Sequence, residues 1–201
     1  ILSWWDYGYW IETLGDRTTY ADNATLDTQI IKKTAEMYYS SPENGWEELV
    51  AIDADYVLIW VSAQRILSSS DIPMYLVGVG GGDESKRFWF AEVAGVPLEK
   101  YFFDDFVSGP NAFWNDTLLG KMIPFSPRMY VDPVNEHTYD HYESNTVAIY
   151  EKDHKFSSNK DSPLKLVYAS PSFDRTDDGE ISAVLIYEVN KDYKISFEYN
   201  I

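Results

Sequence analysis

Two regimes of hydrophobic spacing divide the chain. Leu26, Ile30, Ala35, Met37 and Tyr38 recur at roughly helical intervals, and Asp22, Asn23 and Thr25 precede them as candidate N-caps, so Leu26 to Tyr39 is predicted to be a helix. Trp46 to Ala51 predicts a shorter one. Asp55 to Val61 reads Asp-Tyr-Val-Leu-Ile-Trp-Val, a continuous apolar run suited to a buried strand. Met74 to Val79 predicts a second strand, Gly80 to Gly82 a flexible break, and Asp83 to Ala94 a helix opened by an acid. Asn111 to Met122 is amphipathic through Phe113, Leu118, Leu119 and Met122. From about Phe125 prolines, tyrosines and β-branched residues take over. Strand patterns appear at Val147 to Tyr150, Leu164 to Tyr168, Ile181 to Val189 and Tyr193 to Tyr199. Asp177-Asp178-Gly179 and Asn190-Lys191-Asp192 are turn sequences, which predicts hairpins at the C-terminal end. The expected fold is α+β: residues 1–124 form a helical N-terminal core around a small sheet, and residues 125–201 form a β-rich portion packed on it.

Composition and charge remove several function classes. The 201 residues are 45% hydrophobic, enough for a proper core. A formal charge of −17 argues against nucleic acid and against an anionic lipid surface, since both need the opposite sign. The absence of cysteine removes disulfides, thiolate metal sites and thiol nucleophiles. No apolar run approaches the roughly 18 residues of a membrane span, and Ile1-Leu2-Ser3 is too short and uncharged for a signal peptide. Aromatic residues crowd the first positions, where chain ends are usually polar, so the expectation is a piece of a larger protein.

Several suggestive patterns fail on chemistry. Gly78-Val79-Gly80-Gly81-Gly82 follows a predicted strand, but a dinucleotide fingerprint needs glycine where Asp83 stands, and an acid there repels pyrophosphate. His137 and His141 are four apart, yet Thr138 occupies the place of the zincin glutamate. Asp174, Thr176, Asp178 and Gly179 imitate a calcium loop that Leu185 fails to close. Sixteen tyrosines, seven tryptophans and many acids are compatible with a non-catalytic extracellular carbohydrate-binding module, which is the alternative function.

The chemistry concentrates in Trp4-Trp5-Asp6-Tyr7-Gly8. Two indole N–H groups that only donate stand beside a carboxylate that only accepts, a set able to grip one hydroxyl from both sides. This pentapeptide resembles the signature of oligosaccharyltransferase catalytic subunits. Gly15-Asp16-Arg17-Thr18-Thr19, Asp22-Asn23-Ala24-Thr25, Asp55-Tyr56-Val57-Leu58 and Leu166-Val167-Tyr168-Ala169-Ser170 are similar to family segments in the family's order. A second family motif, Asp-x-x-Lys with Met or Ile four residues on, is matched by Asp83 and Lys86, with Phe90 departing in the last place.

The resemblance implies the water-exposed C-terminal domain of an archaeal single-subunit enzyme. It assigns Trp4, Trp5, Asp6 and Lys86 to the Ser or Thr of an acceptor Asn-x-Ser/Thr segment, with Tyr7, Gly8, Asp83 and Phe90 in support. If Asp83 to Ala94 is helical, Asp83, Lys86 and Phe90 share one face. The resemblance places the lipid-linked oligosaccharide, a divalent metal (Mn or Mg) and the catalytic acids in membrane segments outside this chain. It therefore implies no catalytic residue and no metal ligand here. The full-length protein is expected in the cell membrane, with this domain on the extracellular face. Asn23-Ala24-Thr25 and Asn115-Asp116-Thr117 are themselves acceptor sequences, though Asn23 also suits a helix cap.

Overall fold

The computed structural model describes residues 1–24, 27–66, 72–103, 111–156, 161–177 and 179–195. The helices are α1 (Gly8–Thr13), α2 (Thr28–Tyr39), α3 (Pro42–Ala51), α4 (Arg87–Ala94), α5 (Asn111–Asp116) and α6 (Leu118–Met122). The strands are β1 (Tyr56–Ile66), β2 (Met74–Val77), β3 (Phe125–Val131), β4 (Thr138–Tyr139), β5 (Val147–Lys152), β6 (Leu164–Ala169) and β7 (Glu180–Val189). They form one antiparallel sheet in the order β4-β3-β5-β2-β1-β7-β6. The fold is α+β with a β-rich C-terminal part. β1 and β2, from the helical half of the sequence, pair with the later strands β7 and β5 and so tie both parts into one sheet.

Sequence chemistry explains the boundaries. Asp27, rather than the predicted Asp22, Asn23 or Thr25, caps α2 by accepting from Gln29 N at 2.8 Å. Ser41 caps α3 by accepting from Asn44 N, and Pro42 supplies the preset φ of the first turn, so this helix starts four residues earlier than its apolar pattern indicates. The predicted helix Asn111 to Met122 is two helices. Thr117 leaves helical geometry between them, and its Oγ accepts from Gly120 N at 3.0 Å, starting α6. β3 is absent from the apolar pattern because Pro127 interrupts it. The structure absorbs that proline at a register shift between Pro127 and Met129. Tyr193 to Ile195 is not a strand, and the rest of the predicted final strand lies outside the described residues, as does Asp178 of the predicted turn.

The core sits between one face of the sheet and the helices. β7 alternates strictly: Ile181, Ala183, Leu185, Tyr187 and Val189 are buried while their neighbours are not. On β1, Val57, Ile59 and Val61 are buried on one face and belong to the same core cluster as Tyr38, Phe90, Phe113 and Leu118. Leu58 and Trp60, apolar as well, lie on the opposite face and are only half-buried. There α1 covers the sheet incompletely, leaving a groove of about 530 Å³ between Trp10, Ile11, Leu58, Trp60, Val184 and Ile186.

Candidate functional site

One edge of β1 organises the site. Three segments satisfy its backbone in succession. Leu2 lies parallel to it, donating its N–H to Tyr56 O and accepting from Leu58 N, both at 2.9 Å. Farther along, Asp83 N donates to Trp60 O at 2.7 Å and Asp83 Oδ2 accepts from Trp60 N at 3.0 Å. Glu84 Oε1 then accepts from Ser62 N at 3.0 Å. Beyond Ala63, β2 takes over as an ordinary antiparallel neighbour. Two consecutive carboxylates thus stand in for a missing strand, and the N-terminal segment and the Asp83 loop become neighbours.

The first motif turns away from the sheet as a single 3-10 turn, Trp5–Tyr7, that runs into α1. Gly8 permits this: a Cβ there would lie 2.2 Å from Ala21 O and 2.4 Å from Asp22 Cα. Asn23 secures the turn from outside. Its Oδ1 accepts from Tyr9 N at 3.2 Å and its Nδ2 donates to Asp6 O at 3.3 Å, so it braces the motif and does not cap α2.

The two motifs meet at Lys86. Its Nζ donates to Asp6 Oδ2 at 2.6 Å and to Tyr7 Oη at 2.7 Å, and lies 3.5 Å from Asp83 Oδ1. Tyr7 Oη in turn donates to Asp83 Oδ1 at 2.7 Å. The ammonium also sits 4.6 Å from the Tyr7 ring centre and 6.0 Å from that of Trp60. Asp83 is fully buried. Burial pushes its carboxyl up to about 6, against the opposing pull of Lys86, Tyr7 and Trp60 N. Burial, then the Asp83 charge, drives the Tyr7 phenol far above its ordinary value, so Tyr7 stays protonated and donates. Asp6 Oδ1 is buried and has no hydrogen-bond partner.

Asp83 and Lys86 do not lie on a helix, contrary to expectation. Residues 83–86 form a turn and α4 starts at Arg87, because the Asp83 N–H and the Asp83 and Glu84 side chains are committed to β1. Phe90 is on α4 but wholly buried, its ring 4.4 Å from Trp4 and 5.4 Å from Tyr38. Trp4 is buried with it, whereas Trp5 and Asp6 are partly exposed. The motif residues thus divide: Asp6, Tyr7, Asp83 and Lys86 form one polar cluster, and Trp4 and Phe90 pack beneath it. The glycine run, expected as a flexible break, is tied to Ser62. Gly80 N and Gly82 N donate to Ser62 Oγ at 3.0 and 3.2 Å, and Gly78 and Gly81 turn the chain with φ of 87° and 85°.

Sequence reasoning missed Trp60, Ser62 and Glu84. The signal available was the second acid of the Asp83-Glu84 pair and the polar Ser62 within an apolar strand. His141 binds Asp140 and Glu143 on the surface, far from any zincin geometry.

The fold and this cluster define an α+β domain with two carboxylates, a lysine and a tyrosine gathered at a sheet edge. By sequence the chain is homologous to STT3 subunits of dolichyl-diphosphooligosaccharide–protein glycosyltransferase. It is 36% identical to that subunit from Dictyostelium discoideum over 83 residues, 40% of this chain and 12% of the relative. The Saccharomyces cerevisiae subunit is 33% identical over 94 residues, covering 47% and 11%. The Caenorhabditis elegans subunit is 29% identical over 129 residues, covering 61% and 16%. The matched stretch is thus a small fraction of these longer proteins. No family model matches the chain. Among solved structures, the C-terminal globular domain of oligosaccharyltransferase from Archaeoglobus fulgidus has a TM-score of 0.39 and 19% identity, covering 76% of this chain and 83% of that one.

Proposed function

We propose that this chain is the acceptor-recognition domain of an oligosaccharyltransferase, holding the Ser or Thr hydroxyl of an Asn-x-Ser/Thr segment while a lipid-linked oligosaccharide is transferred to the asparagine. The observation that carries the reading is Asp6 Oδ1, a buried carboxylate oxygen without a partner in the cluster where the two motifs meet. Such an atom costs free energy until a donor reaches it. A hydroxyl donating to Oδ1 would satisfy it, and Trp5 would donate its indole N–H to the same hydroxyl. Lys86, itself held by Tyr7, fixes the carboxylate's orientation, while Trp4 and Phe90 support the cluster from the core. A site built around a hydroxyl rejects an analogue lacking it by about 10⁴ or more, because its own polar groups are then left unpaired. Recognition of this kind needs no catalytic group in this chain.

Among the described residues no group of three or more His, Cys, Asp or Glu side chains could hold a metal ion, and Lys86 occupies the space between Asp6 and Asp83. This reading assigns the divalent metal, the donor-lipid site and the catalytic acids to membrane segments of a longer protein, with this domain on the extracellular face. Among the described residues no helix is long and apolar enough to cross a membrane. The test is transfer by the full-length protein carrying Asp6→Ala. Loss of transfer to Asn-x-Thr peptides with the domain folded is expected, and retained wild-type transfer overturns the assignment.

A further inference from the structure

We propose that Glu84 is a positioning residue for the acceptor site: through Ser62 it locks the Gly78–Lys86 loop onto β1 and so sets where Lys86 meets Asp6 and where Asp83 meets Tyr7. The inference rests on the hydroxyl-recognition reading above.

Glu84 is a carboxylate with 1% of its surface exposed, in a loop whose other duties are carried by Asp83 and Lys86. Its Oε1 accepts from Ser62 N at 3.0 Å and Ser62 Oγ at 2.6 Å. With its proton given to Glu84, Ser62 Oγ uses its lone pairs for Gly80 N and Gly82 N. Four donors are thus ordered by one carboxylate oxygen and one hydroxyl. Gly82 allows the approach, since a Cβ there would stand 2.4 Å from Glu84 Oε2. Asp83 precedes Glu84 directly, and Lys86 follows two residues later with its N–H donating to Asp83 O at 3.1 Å. Any slackening of the Glu84 anchor therefore reaches Asp83, which accepts from Tyr7, and Lys86, which donates to both Asp6 and Tyr7. Burying an acid is costly, as its carboxyl, raised by burial to about 7, attests.

The experiment compares Glu84→Ala, Glu84→Gln and Ser62→Ala in the full-length transferase, using Asn-x-Thr peptides, with Asp6→Ala as control. Glutamine keeps the accepting Oε1, alanine does not. Glu84→Ala and Ser62→Ala are expected to raise the peptide KM about tenfold with kcat nearly unchanged, and Glu84→Gln to restore most of it. A merely structural role would lower the active fraction and leave KM alone. If Glu84→Ala does not fold, Ser62→Ala decides. An unchanged KM in whichever of these variants folds overturns the role of Glu84. Wild-type transfer by Asp6→Ala would instead overturn the underlying reading of the site.

Discussion

Lys86 Nζ lies 2.6 Å from Asp6 Oδ2 although the two residues are eighty positions apart in the chain. Their meeting follows from β1, whose one edge accepts the segment ahead of Asp6 at Tyr56 and Leu58 and the segment ahead of Lys86 at Trp60 and Ser62. The pair is partly exposed, with 23% and 30% of the side chains accessible, and exposed ion pairs contribute only about 0 to 1 kcal/mol to stability. In the proposed reading its value lies in the orientation it gives Asp6.

The adjacent tryptophans should respond oppositely to truncation. Trp4→Ala removes a buried indole packed on Phe90, and losses of about 3–5 kcal/mol are typical of such changes. Trp5→Ala is expected to leave thermal stability near wild type while abolishing glycan transfer in the full-length protein. Calorimetry of both variants, with a transfer assay on Trp5→Ala, checks the division. Equal destabilisation by the two would contradict it.

The contributions of Asp83 and Glu84 to stability should fall as pH rises through neutrality, while Lys155, lowered by burial to about 7, acts in the opposite sense. Burial raises Asp83 to about 6 and Glu84 to about 7, so the folded chain retains protons that the unfolded chain releases above about pH 4. Their favourable contribution is complete below the unfolded pKa values and is lost as pH rises through the folded ones. His141, raised by Asp140 and Glu143, acts in the same sense. Glu84→Gln removes the Glu84 share only. Between about pH 5 and pH 8 the Tm of Glu84→Gln should therefore drop less than that of the wild type, and parallel Tm curves would contradict this assignment.

Asn115 should remain unmodified once the domain has folded, despite its exposure. Thr117, the hydroxyl residue of that acceptor sequence, is fully buried, with Oγ donating to Phe113 O at 2.7 Å and accepting from Gly120 N. An enzyme that reads the hydroxyl cannot reach it without opening the junction of α5 and α6. In mass spectrometry, folded protein incubated with active transferase and donor should carry no glycan at Asn115, whereas the unfolded chain should accept one.

The apolar patterns of α2 and β7 place those elements to within two residues, and that of β1 places its start but not its end, which runs past Val61 to Ile66. What escaped was set by side chains satisfying backbone groups at a distance. Thr117 breaks a helix that its neighbours' hydrophobicity would continue, and Pro127 hides β3 in a bulge. Asp83 and Glu84 look like the acidic start of a helix because acids do favour that place. Here the free edge of β1 claims them first, and that edge becomes free only because β2 stops pairing at Ala63. No local pattern in the sequence reports such a vacancy. The cluster residues Asp6, Tyr7, Asp83 and Lys86 were legible through motif resemblance, whereas the core placement of Trp4 and Phe90 required the packing itself.

The most direct measurement is a nuclear magnetic resonance titration of the isotope-labelled 201-residue chain with two short peptides, Asn-Ala-Thr and its near-isostere Asn-Ala-Val. They differ by one hydroxyl, and a hydrogen bond to a charged group contributes about 1.5–3 kcal/mol, too little for tight capture of a short flexible peptide. Weak binding of the threonine peptide is predicted, with shifts centred on the amides of Trp5, Asp6 and Lys86 that vanish in Asp6→Ala, and little response to the valine peptide. Equal shifts from both peptides, or a threonine response that survives Asp6→Ala, would contradict hydroxyl recognition at Asp6.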